Sequence, residues 1–103
     1  MKVIVTGAGG LVGRATMSVC GAKGDTVVGF THDALDISDE AAVRERIDSE
    51  LPEVVINCAA WTDVDGCELD QNRALRANSL GPELLALSCQ RAGALLITIS
   101  TDY

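Results

Sequence analysis

The 103-residue sequence predicts an α/β domain, a doubly wound parallel sheet of the Rossmann type that is incomplete at its C-terminal end. Three observations carry that prediction. Short β-branched runs alternate with helical stretches, which implies parallel strands joined by right-handed crossovers. Three glycines at spacing three, Gly7, Gly10 and Gly13, stand between the first strand and the first helix. Hydrophobic residues make up 48% of the chain but aromatics only 3%, so the core is aliphatic, as suits a buried parallel sheet.

The elements follow in order. Lys2 to Thr6, with Val3, Ile4 and Val5, reads as a strand, and the stretch from about Gly10 to Gly21 reads as a helix with Val12, Ala15 and Val19 on one face. Gly24-Asp25 makes a turn into a second strand, Thr26 to Phe30, followed by the short segment Ala34-Leu35-Asp36-Ile37. Ser38 or Asp39 caps a helix from about Glu40 to Ser49, where Val43, Ile47 and Leu51 form the apolar stripe, Arg44, Glu45 and Asp48 face water, and Pro52 ends it. Glu53 to Asn57 and Leu95 to Ile99 are buried-type strands. Between them a helix from about Asn72 to Ala92 carries Leu80, Leu84 and Leu87 at helical spacing and stops at Gly93.

The glycines have separate physical duties. Gly7 permits a turn that a Cβ would obstruct, Gly10 lets backbone approach a phosphate, and Gly13 lets the helix pack closely on the sheet. Free N–H groups in the first turn of the helix then face an anion. A purely structural glycine turn is the competing reading, and the strand–turn–helix order weighs against it. No Lys-Ser or Lys-Thr pair follows the glycines, which excludes a triphosphate P-loop.

Bulk properties narrow the partners. At 103 residues the chain is one domain at most, able to bury about 60–70% of its unfolded surface. Eight basic against fifteen acidic side chains give a net charge of −7, which disfavours nucleic acid and anionic membranes. Cys20, Cys58, Cys67 and Cys89 show no Cys-x-x-Cys spacing, and a signal peptide is not evident, so reduced thiols in a cytoplasmic protein are expected. Cys58 stands where a functional strand end is expected; packing is favoured over nucleophilic attack, because the single histidine, His32, lies far away in sequence. Asp63, Asp65 and Glu68 form an acidic cluster that reads as a solvated loop and helix cap rather than a metal site, and no metal is expected.

Taken together, Thr6-Gly7-Ala8-Gly9-Gly10-Leu11-Val12-Gly13, Leu35-Asp36-Ile37-Ser38-Asp39, Asn57-Cys58-Ala59-Ala60-Trp61-Thr62-Asp63-Val64-Asp65, Asn78 and Ser100-Thr101-Asp102-Tyr103 resemble the extended short-chain dehydrogenase/reductases, and within them the dTDP-4-dehydrorhamnose reductase group. That resemblance implies hydride transfer from NADPH or NADH to the 4-keto carbon of a dTDP-linked deoxysugar, the cofactor supplying the redox chemistry. It further implies that Gly7, Gly10, Leu11 and Val12 hold the pyrophosphate through backbone groups, with Gly13 completing the loop. Asp36 and Ile37 would flank the adenine, while Ala60, Trp61 and Thr62 would lie along the nicotinamide side. Small Ala59 and Ala60 leave room for a cofactor, and the Thr62 hydroxyl suits a ribose or phosphate, although plain packing and a turn cap are the alternatives. Trp61 reads equally well as a shielding ring.

By the same resemblance Thr101 is the catalytic hydroxyl, bonding the substrate carbonyl as it gains negative charge, and Asp102 touches the sugar. Asn78 would support the site's backbone. The group's proton donor is a Tyr-x-x-x-Lys pair; Tyr103 has no lysine four places on, so it reads as structural, and the chain reads as an N-terminal piece with no turnover of its own. Some relatives bridge a dimer through a metal held by a carboxylate two places after the third glycine; Ala15 stands there, and a homodimer is left open. At the end of the second strand Thr31 and His32 replace the acidic residue that would reject a 2′-phosphate, a slight lean to NADPH that Arg14 favours and Asp33 opposes. Competing functional expectations are a catalytically silent nucleotide-binding regulator and a sister epimerase or reductase acting on another nucleotide sugar.

Overall fold

Val3, Ile4 and Val5 form the buried centre of β1 (Lys2–Thr6), the strand on which the other elements are hung. The computed structural model describes residues 1–59 and 80–99. On either side of β1 lie β2 (Thr26–Phe30) and β3 (Val54–Asn57), with β4 (Leu95–Thr98) beyond β3, all parallel in the order β2-β1-β3-β4. The first crossover steps one way from β1 and the next two step the other way. Right-handed connections therefore place α1 (Leu11–Ala22) on one face and both α2 (Glu40–Glu50) and α3 (Gly81–Ala92) on the opposite face. The fold class expected from the sequence is the one observed.

Strand alternation divides the apolar residues between the faces. Ile4 and Val55, with Val28 and Leu96 packed against them, join Phe30, Leu35, Ile37, Val43, Ile47, Leu85 and Cys89 in the core under α2 and α3. Leu35 and Ile37 thus anchor the loop after β2. An Arg91–Asp48 ion pair of 2.8 Å links the two helices, but both side chains are about half exposed, so it contributes about 0–1 kcal/mol.

The helix caps and stops among the described residues follow the sequence signals, whereas the expected start of the last helix at about Asn72 lies outside the described residues. Of the two candidate caps for α2, Asp39 takes the part, its carboxylate accepting from the Ala42 N–H at 3.2 Å. Gly93 ends α3 in the left-handed region at φ 74°. Leu51 closes α2 at φ 49°, and that turn throws its side chain into solvent, so the expected α2 stripe keeps Val43 and Ile47 and loses Leu51.

Two other stripes are corrected. Val12, Ala15 and Val19 are exposed, whereas α1 packs inward through Gly13, Thr16, Met17 and Cys20. The cause is steric: Gly29 of β2 leaves room for Met17, whose sulfur would lie 2.7 Å from a Cβ at that position. On α3 the buried residues are Gly81, Leu85, Ser88 and Cys89, one register away from Leu80, Leu84 and Leu87. Gly81 is seated directly on Ile37, which fixes the helix's rotation.

Burial pushes the Cys89 thiol above its ordinary value of 9.0. A raised value in the fold means that the unfolded chain loses its proton first as pH rises. This group's contribution is therefore fully present below pH 9 and fades as pH climbs through the folded value. The thermal midpoint is expected to fall above about pH 9, with a shallower fall in Cys89→Ala; equal slopes in both proteins would contradict this.

Candidate functional site

The carboxyl ends of β1 and β3 meet at two buried polar side chains. Thr6 Oγ1 donates to Asn57 Oδ1 at 2.6 Å, and the same oxygen accepts from the Ala59 N–H at 3.0 Å. The Cys58 N–H donates to the Thr6 carbonyl at 3.1 Å, extending the pairing past the strand end. This lock sets the backbone of Cys58 and Ala59 against Gly7. Gly7 has φ +66°, and a Cβ there would come within 2.6 Å of both the Ala59 nitrogen and the Cys58 carbonyl carbon. Both demands require glycine, as the sequence indicated.

The loop then turns back on itself. The Gly10 N–H donates to the Gly7 carbonyl at 3.2 Å, and the Ala8 N–H ties the loop to β2 through Phe30 O at 3.1 Å. Gly7 O also faces Gly13, where a Cβ would overlap it, so the close approach Gly13 permits is to the loop at the sheet edge. Gly10 differs from its neighbours. A Cβ there would meet only Gly7 O, at an ordinary 3.6 Å, so nothing in the described fold requires glycine at that position. Its own N–H is spent within the turn; what it offers is space.

Beyond Gly10 the N–H groups of Leu11, Val12 and Gly13 begin α1, whose first backbone bond from Arg14 returns to Gly10 O at 2.9 Å. No side chain caps this end, and its first turn holds no acidic residue. Leu11 and Val12 are exposed, so their amides stand at an open, electropositive helix terminus.

The other expected residues fall in three places. Thr31 and His32 are exposed at the exit from β2, where the Thr31 carbonyl accepts from Ala34 and Leu35. Thr31 Cγ2 would lie 3.3 Å from a Cβ on Gly9, which puts it beside the glycine loop. Asp36 is exposed and braces its own loop, Oδ1 accepting from the Ser38 N–H at 3.0 Å and hydroxyl at 2.7 Å. Ile37 is buried, with its side chain in the core under α2 and α3. Ala59 is half-buried against the loop, while Ala60, Trp61, Thr62, Asn78, Thr101 and Asp102, like the acidic cluster and Tyr103, lie outside the described residues. Cys58 packs with Sγ 3.7 Å from Thr16 Oγ1. Cys20, Cys58 and Cys89 are free thiols.

Sequence reasoning gave no role to Asn57, Gly29 or Gly81. A polar residue closing the apolar run Val54-Val55-Ile56 was the available signal for Asn57. Replacing it with alanine leaves the buried Thr6 hydroxyl and the Ala59 N–H without their acceptor, and each unsatisfied group costs about 1–3 kcal/mol. Asn57→Ala is expected to lower stability by about 2 kcal/mol or more in chemical denaturation; a loss below about 0.5 kcal/mol would show that the lock is dispensable.

The tip suits a dinucleotide diphosphate in three respects: uncapped amides, no carboxylate in the first turn, and a vacant volume at Gly10 that a side chain would fill. A concavity of about 750 Å³ on the outer side of α2 does not, because four carboxylates, Asp39, Glu40, Glu45 and Asp48, line it against the one cation Arg44 and disfavour an anion. Among the described residues no helix is long and apolar enough to cross a membrane.

Comparison with known proteins agrees with this fold. The chain is 47% identical over 102 residues to a dTDP-4-dehydrorhamnose reductase of Mycolicibacterium smegmatis, covering 99% of this chain and 31% of that protein. A solved reductase of that name from Clostridium acetobutylicum superposes with a TM-score of 0.92 at 40% identity, over 100% of this chain and 37% of that one. Another, from Bacillus anthracis in complex with NADP, gives 0.90 at 33% identity over 99% and 37%. The chain spans about a third of the length of the relatives it matches. The RmlD substrate binding domain family matches residues 1–103 without a gap at either end, and with the glycine loop, the parallel sheet and these relatives in agreement, the chain belongs to that family.

Proposed function

We propose that this chain is the dinucleotide-binding part of a cytoplasmic reductase that uses NADPH to reduce the 4-keto group of a dTDP-linked deoxysugar, in the formation of dTDP-rhamnose. The observation that carries the reading is the open tip of α1 beside a glycine whose missing side chain serves no internal contact. NADPH supplies the hydride when bound. The chain's own residues orient it: Leu11 and Val12 amides toward the diphosphate, Thr31 and His32 toward the adenosine ribose, the Asp36 loop toward the base. Exposed Thr31 and His32 put no carboxylate where a 2′-phosphate would lie, which favours NADPH over NADH, and the NADP-bound relative supports the same choice. Ala60, Trp61 and Thr62 are assigned to the nicotinamide side, Thr101 to the substrate carbonyl and Asp102 to the sugar.

The test is turnover. A polypeptide of the relatives' full length that begins with this segment is expected to oxidise NADPH in the presence of dTDP-4-dehydro-6-deoxymannose, followed by nicotinamide absorbance. Absence of turnover with both NADPH and NADH would refute the assignment. The 103-residue chain alone is expected to bind NADPH weakly and to turn over nothing.

A further inference from the structure

Met17 lies over Gly29 of β2 and beside Ala8 of the glycine loop: its sulfur would stand 2.7 Å, and the Ala8 Cβ 2.9 Å, from a Cβ at Gly29. On the other flank of α1, Thr16 Oγ1 lies 3.7 Å from Cys58 Sγ at the end of β3. These two contacts fix the rotation of the helix. Arg14 stands three residues before Met17, so it shares the β2-side flank one turn nearer the tip. Side chains of a helix lean toward its N-terminus, which carries Arg14 toward the corner where Thr31 leaves β2 beside Gly9. Among the described residues nothing covers that flank: Arg14 is exposed, and Gly21, seven residues further along the same line, has no atom within 4 Å of a Cβ.

The charges of the other cations are already taken or remote. Among the described residues Lys2, Arg44 and Arg91 pair with Glu50, Glu40 and Asp48, Arg46 lies over the Phe30 ring, and Lys23 closes the far end of α1. Arg14 has no carboxylate partner among them, and the first turn of α1 before it holds no acidic residue. We propose that Arg14 selects NADPH over NADH by pairing its guanidinium with the 2′-phosphate of the adenosine ribose. The inference rests on the dinucleotide reading above and adds an attractive group to it: Thr31 and His32 only omit a carboxylate, whereas Arg14 supplies a charge. The diphosphate is met by the amides of Leu11 and Val12. A 2′-phosphate lies to the side of them, toward the exit from β2, and in a chain of net charge −7 a further anion is repelled unless a cation stands beside it. A guanidinium suits that duty, because its N–H fork meets two phosphate oxygens at once. Asp33, exposed on the loop after β2, is the opposing charge, while Asp36 is engaged by Ser38.

Calorimetry with NADPH and with NADH, on a polypeptide of the relatives' full length that begins with this segment, tests this. The wild type is expected to prefer NADPH. Arg14→Gln keeps a helix-forming polar side chain without the charge, and is expected to reduce that preference at least about tenfold, the loss falling on NADPH. Arg14→Lys keeps the charge without the fork and is expected to fall between the two. Added salt is expected to narrow the wild-type preference and to leave that of Arg14→Gln nearly unchanged. An equal loss for both cofactors would place the guanidinium on the diphosphate and overturn the proposal. So would an unaltered preference in Arg14→Gln, or a wild type that binds both cofactors alike. A wild type that binds neither overturns the dinucleotide reading itself, and the proposal with it.

Discussion

Gly13→Ala is expected to destabilise the chain by about 1–3 kcal/mol, although alanine is the better helix former by about 1 kcal/mol. The two effects oppose each other, and sterics decides. A methyl at Gly13 overlaps the carbonyl oxygen of Gly7, a backbone atom in a loop held by Phe30 O and by the Cys58–Ala59 backbone. It cannot be relieved by rotating a side chain. Gly21 on the same helix has nothing within 4 Å of a Cβ, so Gly21→Ala exposes the propensity term alone and is expected to stabilise by about 0.5–1 kcal/mol. Urea denaturation of the pair separates the effects. If both variants gain stability, the Gly7–Gly13 approach is not the constraint described.

Gly10→Val is expected to do the reverse, sparing the fold and abolishing cofactor binding. The backbone at Gly10 is extended, φ −80° and ψ 173°, a conformation a β-branched residue accepts, and a Cβ there meets only an ordinary contact. Loss of stability is expected to stay below about 1 kcal/mol. A valine side chain would fill the space that Gly10 leaves open next to the start of α1, where the proposed diphosphate would lie. NADPH affinity of a protein of the relatives' length is expected to fall at least about 100-fold, equivalent to about 2.7 kcal/mol, by calorimetry. Retained affinity would mean that the phosphates lie elsewhere.

Local chemistry makes much of the architecture legible in the sequence. β1 and β2 begin and end where the β-branched runs do, and Asp39 and Gly93 act as the cap and stop their residue types suggested. Gly7 and Gly13 were readable because a left-handed turn and a backbone contact leave no other choice of residue.

The helix faces were not legible, and the reason is physical. In α1 both sides are apolar enough to be mistaken for the core side. The choice is made by a tertiary fit, Met17 into the gap at Gly29, that no periodicity encodes. Leu51 was misplaced because a left-handed closing residue breaks the helical phase. The resemblance places Ile37 beside the adenine, and what the sequence does not show is that Gly81, forty-four positions later, makes room for its side chain in the core. The role of Asn57, a member of the quoted motif, is not legible for a similar reason: it lies in the Thr6 hydroxyl across the sheet.

The central claim is that the first amides of α1 receive a diphosphate. Amide chemical-shift mapping of the 103-residue chain during an NADPH titration tests it most directly, since it reads weak binding one N–H at a time. The predicted result is saturable shifts greatest at Leu11, Val12 and Gly13, reproduced by ADP and absent in Gly10→Val. Shifts centred elsewhere, or none at these three amides at millimolar NADPH, would contradict it.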